Sequence, residues 1–89
     1  MKKPLLVLIV ALGLIRPAWA DFQDGQAAYQ RGDYQAALRE WRPLAEQGNA
    51  SAQFNLGVMY DNGRGVTQDY AKAFRWYRSA GRSWTPRQV

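Results

Sequence analysis

Leu56-Gly57-Val58-Met59-Tyr60-Asp61-Asn62-Gly63-Arg64-Gly65-Val66-Thr67-Gln68-Asp69-Tyr70-Ala71-Lys72-Ala73-Phe74-Arg75-Trp76-Tyr77 is the stretch that decides the fold. Small residues and aromatics recur three and four positions apart on either side of a segment holding Gly63 and Gly65. That period belongs to helices, and glycines placed so mark a chain reversal. Two antiparallel helices follow. Asn49 is positioned to cap the first, Ala50 to Asp61, and Asp69 the second. In the first, Ala52, Leu56, Met59 and Tyr60 make one apolar face, while Ser51, Phe54, Val58 and Asp61 make another, so both sides have something to contact. In the second, Tyr70, Ala73, Phe74, Tyr77 and Ala80 form the stripe with Trp76 beside it, and the pattern fails after Ala80. Asp61 to Gln68 reads as the loop, with its one apolar residue, Val66, tucked under.

Upstream lies an earlier hairpin. Phe22 to Gln30 is free of proline and begins beside Asp21, an acid suited to a helix N-terminus. Gly32 can take a positive φ and end it, after which Asp33 can cap the next helix. There Tyr34, Ala37, Leu38, Trp41 and Leu44 or Ala45 form one stripe. Pro43 gives no N–H to the carbonyl of Arg39, so a bend or an early last turn is expected, and Gly48 closes the element. The two hairpins superpose. First helices match at an offset of 32, Phe22 on Phe54, Gly25 on Gly57 and Ala28 on Tyr60. Second helices match at 36, Asp33 on Asp69, Tyr34 on Tyr70, Ala37 on Ala73, Leu38 on Phe74 and Trp41 on Tyr77. A mid-helix glycine costs about 1 kcal/mol relative to alanine. Gly25 and Gly57 therefore predict close helix approach, with Ala37 and Ala73 opposite.

The N-terminus reads as an address. Lys2 and Lys3, an apolar run from Leu5 to Ile15, and Ala18-Trp19-Ala20 make up the three parts of a secretory signal peptide, cut between Ala20 and Asp21. A membrane span needs about 20 apolar residues, and Arg16-Pro17 interrupts this run sooner. The expected organisation is a signal peptide at 1–20, a two-hairpin domain at 21–82 and an irregular tail at 83–89, periplasmic or secreted. Lys2, Lys3 and Arg16 leave with the signal, so nine of the twelve basic residues stand against all seven acids. A surplus of two charges gives little reason to expect a nucleic-acid partner. The chain has no Cys, so no disulfide staples the domain. A core this small yields no more than about 3 to 5 kcal/mol; eleven of the twelve aromatics lie after Ala20.

Leu56-Gly57, Met59-Tyr60, Gly63, Gly65-Val66, Asp69, Ala73, Trp76-Tyr77 and Ala80 resemble the signature of the Sel-one-like repeat, a relative of the tetratricopeptide repeat with a longer loop. Gly25, Ala28, Gly32, Tyr34, Ala37, Trp41 and Leu44 resemble the shorter tetratricopeptide form. The resemblance implies an all-α, right-handed solenoid of helix hairpins that binds proteins or peptides and catalyses nothing. It also implies that the free face of the first helices lines a concave groove, with Phe22, Gln26, Tyr29 and Asn62 joining Ser51, Phe54, Val58 and Asp61 as partner-binding residues. For Phe22 and Phe54, contact with the neighbouring hairpin is an equal alternative. Pro86 and the aperiodic tail depart from the family pattern, leaving the outer face of the last helix to be capped by Trp84, buried by a second copy or left bare. A truncated repeat that self-associates is one alternative function.

Other clusters favour bland readings. Gly63-Arg64-Gly65 lacks the flanking strand of a nucleotide loop and reads as a turn. Arg75, Arg78 and Arg82 make a basic stripe that suits a solvated helix C-terminus; an anionic membrane surface or host-contact role is the other reading. Without His or Cys the commonest bases, thiol nucleophiles and metal ligands are missing. Lys72 near Ser79 is the nearest approach to a catalytic pair. No catalytic, metal or cofactor site is expected.

Overall fold

The computed structural model describes residues 20–83, and residues 1–19 of the expected signal peptide and 84–89 of the expected tail, Trp84 among them, lie outside that range. Four helices follow one another: α1 (Phe22–Gln30), α2 (Tyr34–Glu46), α3 (Ala50–Asn62) and α4 (Tyr70–Ser83). They pack as α1 on α2, α2 on α3 and α3 on α4, two hairpins stacked in chain order.

The local signals act as expected at the helix starts. Asp21 accepts hydrogen bonds from the N–H groups of Gln23 and Asp24, Asp33 from Ala36, Asn49 from Ala52 at 2.8 Å and Asp69 from Lys72. Each satisfies amides that the first helical turn leaves without partners. Gly32, Gly48, Gly63 and Gly65 all have positive φ. Gly65 needs it most: its backbone lies so close to α2 that a Cβ would stand 3.0 Å from the Cβ of Tyr34.

The core is the stripe of α2 meeting one face of α3. Ala37, Trp41, Leu44 and Ala45 are buried against Ala28, Ala52, Leu56 and Met59, with Val66 packed on the cluster from the loop. Among the described residues Gln53 is the buried polar side chain. Its Nε2 donates to the carbonyl of Ala45 at 3.0 Å, tying α3 to the end of α2.

Helix α2 runs three residues past Pro43 before it ends, its last turn held against the core by the buried Leu44 and Ala45, and Gly48 follows it with a positive φ. Other expectations are corrected. Asp61 and Asn62 belong to the last turn of α3; the loop begins at Gly63, the left-handed cap. Helix α4 includes Ser83, which had been placed in the tail. Its buried edge is Ala73, with Trp76, Tyr77 and Ala80 half-buried. Tyr70 and Phe74 are 67% and 59% exposed, because no described element packs on that side. The residues over Gly25 and Gly57 are Trp41 and Tyr77, not Ala37 and Ala73. A Cβ on Gly25 would lie 2.7 Å from Trp41 Cδ1, and one on Gly57 2.6 Å from Tyr77 Cδ1. Each glycine makes room for a ring.

Candidate functional site: the groove between α1 and α3

Two adjoining clefts run along the free faces of α1 and α3. One, of about 350 Å³, is lined by Gln26, Tyr29, Gln30, Trp41, Asn55 and Val58. The wider one, of about 620 Å³, includes Phe22, Gln26, Ser51, Phe54, Asn55 and Tyr77. Gln26 and Asn55 border both, so the clefts form one groove.

Its walls repeat across the hairpins. Phe22 stacks on Trp41 with ring centroids 5.6 Å apart, and Phe54 meets Tyr77 at 5.4 Å. Trp41 donates its indole N–H to the carbonyl of Phe22; Tyr77 donates its hydroxyl to Asp61 Oδ2 at 3.2 Å. Burial, and then the carboxylate it donates to, hold the Tyr77 hydroxyl above the ordinary tyrosine pKa. Phe22 is half-buried, whereas Phe54 is 54% exposed. An exposed ring between aromatic and amide neighbours can take an apolar side chain, and the amides can address a peptide backbone.

Six of the eight sequence-predicted residues, Phe22, Gln26, Tyr29, Ser51, Phe54 and Val58, line this groove. Asp61 and Asn62 line neither cleft. Asp61 is engaged by Tyr77, and the Asn62 amide donates back to Val58 O, so both finish helix α3. Asn55, Gln30 and Tyr77 were missed as groove residues. Asn55 could have been found, because it follows Ser51 by one turn, but its polarity hid it from an apolar-stripe reading.

The loop joins the hairpins to each other. Arg64 donates to the hydroxyl of Tyr29 at 2.7 Å and lies 5.6 Å from the ring centroid of Tyr34. The phenol contacts hold its guanidinium above its ordinary pKa. Gln35 reaches across to the carbonyl of Gly65. The Gly63-Arg64-Gly65 segment is therefore a turn and a brace. The three arginines of the basic stripe are exposed; Arg78 lies over the Phe74 ring, and Arg75 lines a cleft with Arg42, Lys72 and Ser79. Among the described residues no group of His, Cys, Asp or Glu could hold a metal ion, and no helix is long and apolar enough to cross a membrane.

Stacked helix hairpins with a groove along their first helices define an all-α helical-repeat protein. Residues 50–83, the α3–α4 hairpin, match the Sel1 repeat family model. Over 56 residues the chain is 39% identical to the exopolysaccharide production negative regulator of Rhizobium leguminosarum bv. viciae, covering 63% of this chain and 21% of the relative. Over 49 residues it is 37% identical to the DAP3-binding cell death enhancer 1 of Rattus norvegicus, and equally to that of Mus musculus, covering 55% of this chain and 10% of each relative. The chain thus spans about a fifth or less of the length of these curated relatives. No solved structure matches it. Sel1 repeats are protein–protein interaction modules.

Proposed function

We propose that the chain is an exported, non-catalytic binding module that takes a segment of a protein partner into the groove between α1 and α3. The observation that carries this reading is Phe54, held more than half exposed against Tyr77 at the mouth of a groove edged by Gln26, Asn55 and Ser51. A buried contact for Phe54 would return the transfer free energy its exposure withholds, and aromatic anchors of this kind dominate binding energy. Relatives named as a regulator and as a DAP3-binding protein fit a binding role, although the match spans only a small part of each.

Export is supported by the signal-like N-terminus and by the chemistry at Asp21. Its backbone nitrogen donates to Glu40 Oε1 at 2.8 Å. Cleavage before Asp21 would turn that nitrogen into an α-ammonium, a charge poorly placed at a helix N-terminus. The Glu40 carboxylate stands where it would offset that charge.

Selection of peptides from a random displayed library on the full chain tests the groove. Phe54→Ala should weaken the selected peptides by about tenfold or more, the size of a hot-spot truncation, while Phe74→Ala leaves them unchanged. The reverse pattern would move the site to α4. N-terminal sequencing of the protein from envelope fractions should begin at Asp21; a chain still beginning at Met1 removes the export reading.

A further inference from the structure

We propose that a second cleft, formed by α2, α4 and Tyr60 of α3, binds a phosphate group. About 360 Å³ in volume, it is lined by Arg42, Tyr60, Lys72, Arg75, Trp76 and Ser79. Three cations and no acid line it. Arg42 donates to the Tyr60 hydroxyl at 3.3 Å, and the Lys72 ammonium lies 5.5 Å from the centroid of the same ring. Tyr60, itself buried, gathers two of the three charges around one phenol.

The acids that could neutralise this cluster are committed elsewhere. Asp21 and Asp69 cap helices, Asp33 caps α2 and makes the one ion pair among the described residues, with Arg31. Glu40 accepts from Asp21, and Asp61 from Tyr77. Asp24 and Glu46 remain; neither lines the cleft nor pairs with a base among the described residues.

The charge balance selects the ligand class. A single carboxylate would answer one of three positive charges, whereas a phosphate monoester carries about −1.5 to −2 at neutral pH and three strong acceptor oxygens. Two guanidiniums and an ammonium supply charge-assisted donors to match those oxygens, with the Ser79 hydroxyl as a further donor. The volume holds a phosphate together with part of what carries it, against the walls of Tyr60 and Trp76. A free phosphate compound and the monoester headgroup of phosphatidic acid present the same chemistry, so the test distinguishes them.

The probe is inorganic phosphate, titrated into the ¹⁵N-labelled full chain at constant ionic strength, with acetate as the comparison. The Trp76 indole N–H should shift saturably with phosphate and much less with acetate. Lys72→Gln/Arg75→Gln should weaken the response about tenfold or more, as loss of two charge-assisted donors requires, while Arg78→Gln/Arg82→Gln leaves it unchanged. Both pairs are exposed, so either variant keeps the fold, and circular dichroism checks it. If inorganic phosphate is silent but phosphatidic acid vesicles bind and Lys72→Gln/Arg75→Gln abolishes that binding, the phosphate is that of a headgroup and the site stands. Absence of binding to both probes, equal response to acetate, or equal loss in the two double variants overturns it.

Discussion

In the first hairpin Trp41 lies over Gly25, stacks on Phe22 and bonds to the Phe22 carbonyl; in the second Tyr77 lies over Gly57, meets Phe54 and bonds to Asp61. The backbone plan is the same even at the turns. Asp33 N–H donates to Ala28 O at 2.8 Å and Asp69 N–H to Tyr60 O at 2.9 Å, although the second loop is four residues longer. What differs is the neighbour. Tyr34 and Leu38 are half-buried and packed on the core, with Gly65 close against Tyr34; their counterparts Tyr70 and Phe74 are exposed. A repeat is completed by the repeat after it, and the first hairpin has one where the second, among the described residues, does not.

The largest effect should separate the two rings. Trp41 is 2% exposed, and Trp41→Ala should cost about 3–5 kcal/mol, the range for deleting a buried aromatic. That equals the whole stability of about 3–5 kcal/mol available to so small a core, so thermal melts should show no cooperative transition. Tyr77 is only half-buried, and Tyr77→Ala should leave a folded chain with a lowered midpoint. Equal losses would mean that the hairpins do not differ in burial as they differ in neighbours.

Next are the glycines. Alanine gains about 1 kcal/mol of helix propensity, but its methyl at position 25 has to displace a ring enclosed on all sides, and overpacking costs about 1–3 kcal/mol. At position 57 Tyr77 has solvent on one side and can swing away. Gly25→Ala should therefore destabilise in urea, and Gly57→Ala should cost less or nothing while breaking the Tyr77–Asp61 bond.

The loop brace ranks third. Arg64→Met removes the bond to Tyr29 and the cation over Tyr34, contacts by which the second hairpin's loop holds the first. Arg64 is exposed, so solvent screens its contacts and the loss should be small, a slight fall in the urea midpoint. Hydrogen exchange should accelerate at the ends of α1 and α2 ahead of α4. Faster exchange confined to the loop would show that the stack does not depend on the brace.

The residues that were legible in the sequence are those whose signal is local. Asp33, Asn49 and Asp69 name their helix starts, Gly32 and Gly63 the ends, and the three- and four-residue spacing of Ala37, Trp41, Ala45 and Ala52, Leu56, Met59 names the core. Six of the eight residues that the family resemblance pointed to line the groove. What stayed hidden depends on tertiary neighbours: Tyr70 and Phe74 carry a stripe's spacing but no described helix packs on them, and the spacing that sets Ala37 against Gly25 does not say that a ring crosses there. The meeting of Arg42 with Lys72 and Arg75 joins two helices whose contact no local pattern reports.

The smallest effect is alkaline, and it belongs to the second hairpin alone, since Trp41 does not titrate where Tyr77 does. The folded chain holds the Tyr77 hydroxyl above its ordinary value of 10.0, through burial first and the bond to Asp61 second. A raised folded value means that the protonated phenol is favoured in the folded state. Its contribution is complete below the unfolded value and is lost as pH rises through the folded one. Around neutral pH the chain should therefore be more stable than Tyr77→Phe, which lacks the bond to Asp61. As the pH rises above 10.0 that advantage should shrink, because an ionised phenolate would face the Asp61 carboxylate. Every other side chain is common to both proteins, so the difference between the two urea midpoints isolates the Tyr77 hydroxyl. A difference constant across that rise would show that the Tyr77–Asp61 bond does not hold in solution, and the second hairpin would lose its counterpart to the indole bond of the first.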